Sequence, residues 1–148
     1  MDEEKQLLPE VSQWNHGRGI SPSEWICISA KSDMAVGFSL LFWPKFEAFE
    51  GYVLLEGFSL ENVREWEAAP NSSRQLVESH VNEICLDDWF RSEAWTPLLD
   101  ARRVYLIHKL ADAYRLKLAS DFPDRKFVVS VFDGSQDDDS ISLSFWQV

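Results

Sequence analysis

From residue 24 onward the chain falls into blocks of apolar periodicity, and the breaks between them coincide with Pro, Gly and Ser. Residues 34–42 (MAVGFSLLF) are apolar on nearly every side of a helix. Ser32 or Asp33 can cap that helix and Pro44 ends it, so the pattern predicts a deeply buried element. Ahead of it, Trp25-Ile26-Cys27-Ile28-Ser29 is too short for periodicity to separate a strand from a helix start. Residues 46–56 read as extended chain turned back at Glu50-Gly51, with Tyr52-Val53-Leu54-Leu55 as the best strand. Gly57 breaks the pattern. Ser59 then caps a short helix over 60–67, with Phe58 and Val63 placed as a hydrophobic staple, and Pro70 closes the unit.

Ser72 and Gln75 have capping-box spacing and open a predicted helix over 73–89. Leu76, Val77, His80, Val81, Ile84, Cys85 and Trp89 would share one face of it. Thr96-Pro97 is a cap followed by proline in the first helical position. The helix after it should run to about residue 120, roughly 35 Å at 1.5 Å per residue. Its apolar stripe is Val104, Ile107, Leu110, Ala111, Tyr114 and Leu118, and Phe122-Pro123 stops it. Residues 126–132 and 141–146 alternate as two strands joined through 133–140 into a C-terminal β-hairpin. Residues 1–23 are polar, carry Pro9, Gly17, Gly19 and Pro22, and show no sustained period. They read as a poorly structured lead-in to a single globular domain over 24–148, with Trp14 able to dock on it. The order predicts an α+β fold: a small antiparallel sheet packed against a layer of three to four helices, the long helix central. The opening and closing strands are expected to meet in one sheet.

Composition narrows the function classes. The length of 148 residues suits one domain with a real core. With 25 Asp+Glu against 14 Lys+Arg the net charge is −11, which excludes a general nucleic-acid binder. The charge is uneven: −10 over residues 1–96, +3 over 97–126 and −4 over 127–148. The long helix therefore has a basic exposed face, either solvating its neighbours or docking an acidic partner, while the acidic remainder suits a basic protein partner. No stretch reaches the ~18 apolar residues of a membrane span, and the acidic start Met1-Asp2-Glu3-Glu4-Lys5 is unlike a secretory signal. Cys27 and Cys85 lie far apart and outside any CxxC, as free thiols in a reducing compartment would. These features predict a cytoplasmic protein that meets neither membrane nor nucleic acid.

Catalytic motifs are sparse. GxGxxG, the P-loop, GxSxG and HExxH are all absent from the sequence. His80, Glu83, Cys85 and Asp87 are metal-ligand types, but His80 and Cys85 fall on the apolar stripe without ligand spacing. A structural histidine is expected there, with no metal and no cofactor. His108 and Asp112, at i and i+4, can pair as an imidazole–carboxylate couple, yet no nucleophile can be named for it. Asp133, Asp137, Asp138 and Asp139 crowd one loop without EF-hand spacing, and Glu93 with Asp87 and Asp88 is an ordinary carboxylate cluster in an acidic chain.

The seven tryptophans are the most unusual feature. Trp is rarely wholly buried, so some should reach the surface or line a cavity rather than fill a core. Phe42-Trp43-Pro44, Val81-Asn82, Asp121-Phe122-Pro123 with Phe127-Val128-Val129, and Phe145-Trp146-Gln147 resemble motifs of a group of small bacterial proteins, over about Asp33 to Gln147. Those relatives carry histidines where this chain has Glu83 and Cys85, so no histidine-based site carries over. The resemblance implies a bacterial cytoplasmic protein without implying an activity.

The first functional expectation is an acidic interaction domain that neutralises a basic partner, as immunity or antitoxin-like inhibitors do. It would bind through Trp66, Glu61 and Glu65 together with Trp89 and Trp95. The second is a small-molecule-binding domain, enzymatic or not, with an aromatic pocket between sheet and long helix whose polar groups are His80, Tyr105, His108 and Tyr114. A homodimer formed through apolar helix faces is a third.

Overall fold

The computed structural model describes residues 3–135 and 140–148. It is an α+β fold. Seven helices occupy the described residues: α1 (Glu3–Leu7), α2 (Pro9–Gly17), α3 (Pro22–Ser29), α4 (Ser32–Phe42), α5 (Leu60–Glu67), α6 (Arg74–Val81) and α7 (Pro97–Asp121). They pack with a two-stranded sheet, β1 (Phe46–Phe49) and β2 (Tyr52–Leu55), and a three-stranded sheet of β3 (Ile84–Cys85), β4 (Phe127–Asp133) and β5 (Ile141–Gln147).

The three-stranded sheet is antiparallel in the order β3-β5-β4, with Phe127 opposite Gln147 and Asp133 opposite Ile141. Central strand β5 alternates in sequence, yet it is almost wholly buried because both its faces are covered. Leu143 and Phe145 face Ile107, Leu110, Tyr114 and Leu118 of α7 in the main core. Ser144 on the other face donates its hydroxyl to the Ser79 carbonyl of α6. Phe46 and Tyr114 meet Phe145 edge-on, with ring centroids 5.1 and 6.1 Å away. A second, smaller core of Leu54, Val63 and Val77 lies between β2, α5 and α6.

Local signals place several elements where expected. Ser59 accepts from the Asn62 N–H and Thr96 from the Leu99 N–H at the starts of α5 and α7. Glu50 and Gly51, with φ of 49° and 90°, form the two-residue turn of the β1–β2 hairpin.

Four expectations are corrected. The helix expected over 73–89 starts at Arg74, capped by Ser73 rather than Ser72, and ends at Val81. Asn82 is drawn into bonds with both sheets, and Ile84–Cys85 leave the helix to pair with β5 before a single 3₁₀ turn, Leu86–Asp88. The opening strands do not join the closing ones in one sheet. They form a separate hairpin, tied to β5 through side chains of α6. The lead-in is structured: α1 and α2 bury Leu7 and Val11, and Arg102 of α7 donates to the Leu7 carbonyl at 2.8 Å and to Glu10 at 2.7 Å. Finally, α4 is not deeply buried. Phe38 and Phe42 reach the body, but no residue of α3 or α4 is buried.

Candidate functional site

The α1–α2 segment lies along α7, and between it, the start of α3 and the link before α7 is a half-open cavity of about 310 Å³. Leu7, Leu8, Pro22, Phe90, Leu99 and Leu106 make it apolar. Each wall has a local cause. Pro9 occupies the first turn of α2, directly after Leu7 and Leu8. Pro22 takes the first helical position inside the Ser21–Glu24 capping box that starts α3. Phe90 sits at φ 62° in the link, against Phe38 of α4 at 6.2 Å between ring centroids.

Four polar side chains line the cavity: Glu4, Glu93, Arg102 and Tyr105. The Arg102 guanidinium is already engaged by Leu7 and both Glu10 oxygens. Burial raises the Glu10 pKa, but the Arg102 hydrogen bond, a backbone hydrogen bond and the Arg102 charge more than offset it, leaving the carboxyl below its usual range. The Tyr105 hydroxyl donates to Glu4 at 3.2 Å. Burial, and then that bond, push the Tyr105 phenol up, while a backbone hydrogen bond and the Tyr105 hydroxyl lower Glu4. The exposed Glu93 adds a second carboxylate. With Arg102 neutralised by Glu10, the cavity lining carries net negative charge against an apolar interior.

The residues singled out from sequence are dispersed. Trp66 stacks flat on His80, with ring centroids 3.6 Å apart and planes 5° from parallel, and packs on the smaller core beside the exposed Glu61 and Glu65. Trp89 packs half-buried on the main core, and its carbonyl accepts from Arg103 at 2.9 Å. Trp95 is 68% exposed, its indole N–H donating to Asp100 at 2.7 Å. Of the five proposed contact residues, Trp66 and Trp89 thus rest on different cores, and Trp95 stands exposed.

The second set separates as well. His80 belongs with Trp66, and Tyr114 lies in the main core, where burial pushes its phenol well above the ordinary range. His108 is exposed and its Nε2 faces Asp133 at 3.4 Å, whereas Asp112 pairs with Arg115 at 2.9 Å. The expected His108–Asp112 couple is therefore not formed. Only Tyr105 of this set lines the cavity. From the sequence Glu93 reads only as part of an ordinary carboxylate cluster, while Leu7 and Leu8 escape notice in a polar stretch and Leu99 and Leu106 lie beside the main stripe of α7.

Other chemistry is thin. Cys27 and Cys85 are free thiols; burial, the largest influence, pushes Cys85 up, away from the thiolate. Among the described residues, no group of three or more His, Cys, Asp or Glu side chains could hold a metal ion. Asp137, Asp138 and Asp139 lie outside the described residues. A second cavity is bordered by the charged Asp87, Asp100, Asp133 and Arg103 together with the apolar Trp95, Val104 and Ile141, and the buried Arg103 Nε has no hydrogen-bond partner among the described residues. No helix is long and apolar enough to cross a membrane among the described residues. Comparison of the chain with protein-family models, with curated proteins and with solved structures finds no match.

Proposed function

We propose that the protein binds a small, largely apolar molecule bearing an amine, held in the cavity between α1, α3 and α7. The observation that carries this reading is the cavity: about 310 Å³, six apolar walls and two carboxylates, Glu4 and Glu93, in its lining. Ligand sites are commonly apolar clefts of ~300–1,000 Å³ with a few polar groups that fix orientation. The carboxylates select the sign of the ligand's charge, since the cation in the lining is already paired with Glu10. The proposed setting is the cytoplasm, where two free thiols persist.

Fluorescence of 1-aminoanthracene, displaced by n-octylamine, tests the site. Wild type should bind the probe and release it to octylamine more readily than to octanoate. Leu106→Trp, which fills the cavity, should lose binding, and Glu93→Gln should weaken the preference for the amine. Unchanged probe binding in the Leu106→Trp protein would rule the cavity out.

A second reading keeps the acidic inhibitor. Glu61 and Glu65 flank Trp66 on the exposed side of α5, in a protein of net charge −11, and would meet a basic protein partner. A pull-down from source lysate with wild type and with Glu61→Lys/Glu65→Lys tests it. A partner retained by wild type at low salt should be lost from the double variant; equal retention by both would remove α5 as the contact.

A further inference from the structure

We propose that the arm formed by α3 and α4 is the surface through which two copies of this chain associate. The sequence over residues 25–43 has Lys31 and Asp33 as its only charges. A helix that is apolar all round belongs in a core or a membrane, yet this one stands exposed, and among the described residues no helix is long and apolar enough to cross a membrane. Phe38 and Phe42 turn toward the body, with Phe38 against Phe90 and Phe42 on the main core. Val36 and Leu40, one turn apart on the opposite face of α4, are 61% and 64% exposed. Ile26 and Ile28 on α3, and Met34 and Trp43, are each more than half exposed, although the Trp43 ring also lies beside Lys117.

Val36 and Leu40 on the outward face of α4 would form the apolar centre of an interface to which each partner commonly contributes about 800 Å². Scattered exposed leucines need no partner, but neighbouring apolar side chains on one exposed helix face mark an interaction site.

Charge selects the occupant. A basic protein would be drawn to the acidic remainder of the surface and not to this nearly neutral arm. The arm lacks the Lys/Arg-rich polar face of helices that lie on a bilayer surface. A second copy brings the same uncharged surface. In a twofold contact the patch meets itself, so two antiparallel α4 helices set Val36 of one copy against Leu40 of the other. The inference stands apart from the ligand proposal, since it uses the outward face of the arm and not the cavity.

Sedimentation of the full chain up to about 100 µM, beside Val36→Glu/Leu40→Glu, tests it. Wild type should shift to twice the monomer mass with rising concentration, and the double variant should stay monomeric. Both positions are exposed in the single chain, so the circular dichroism of the variant should match wild type. Cys27, exposed on α3, supplies a second readout: its maleimide labelling should be about tenfold slower in the wild-type dimer than in the variant. A wild type that stays monomeric at the highest concentration overturns the proposal, whether or not it floats with phosphatidylglycerol vesicles. So does a dimer that the double substitution leaves intact.

Discussion

Glu78 is fully buried in α6, and its carboxylate accepts from three donors: the Val53 N–H at 2.8 Å, the Gln147 N–H at 2.7 Å and the Gln147 side-chain amide. One turn later Asn82, equally buried, accepts from the Leu55 N–H and donates to the Val53 and Phe145 carbonyls. The two side chains complete edges that no neighbouring strand covers, so they join the two sheets as a ladder would. Charge-assisted bonds to the carboxylate offset the cost of burying it only while all its donors are present. Replacing Glu78 by Ala orphans buried backbone donors on both sheets, and each orphan costs about 1–3 kcal/mol. Glu78→Ala should therefore lower stability by roughly 3–5 kcal/mol, and Asn82→Ala by roughly 2–3 kcal/mol. Glu78→Gln should fall between wild type and Glu78→Ala, because its NH₂ opposes a backbone N–H. Urea midpoints at unchanged m-value measure all three; a Glu78→Ala loss below about 1 kcal/mol would mean that water replaces the carboxylate.

The N-terminal helices are held on α7 by a few bonds, most of them polar. Arg102 grips Leu7 and Glu10, and Tyr105 grips Glu4, while Leu7 and Val11 add the buried apolar contact. Arg102→Met should release α1 and α2 without unfolding the body, at a local cost of about 1 kcal/mol, and speed amide exchange over residues 3–17 roughly fivefold. Glu4 and Glu10 have folded pKa values below their ordinary 4.5. Their contribution to docking is thus complete above about pH 4.5 and is lost as pH falls through the lowered folded values. Protection of residues 3–17 should fall on acidification below pH 4.5 in wild type and depend less on pH in Arg102→Met; an identical pH dependence would remove Glu10 as the anchor. The same element explains what a sequence can announce. α5, α7 and the β4–β5 pair were legible because Ser59, Thr96-Pro97, Phe122-Pro123 and strict alternation act within a few residues. The fate of α1 depends on Arg102, more than ninety residues away, and the early end of α6 on Asn82 bonds to strands 29 and 63 residues away. The cavity inherits that difficulty, since its walls come from four segments and only Tyr105 stood out as a pocket residue. Apolarity on every face of α4 did announce that it needs cover, but not that the body of the chain takes up Phe38 and Phe42 while Val36 and Leu40 stay exposed.

At the scale of the whole molecule, the net charge of −11 acts on every association, and its sign separates the two kinds of partner. Two copies of the chain repel one another at long range while their arms attract only on contact. The repulsion reaches about 30 Å at 0.01 M salt and about 8 Å at 0.15 M. The apolar contribution of the arms barely changes over that interval, so added salt removes the opposing force and leaves the attraction. Self-association through α3 and α4 should therefore tighten several-fold between about 20 and 300 mM NaCl. A complex with a basic protein on α5 draws its attraction from the same charge and should weaken over the same range. Sedimentation equilibrium of the chain alone across that series reads the first sign directly. If dimerisation weakened with salt instead, ion pairs would have to carry the contact. The +3 stretch over residues 97–126, set against the acidic remainder of a second copy, would then replace the arm as the place where copies meet. Val36→Glu/Leu40→Glu decides between those interfaces, because a contact through α7 would survive it and a contact through the arm would not.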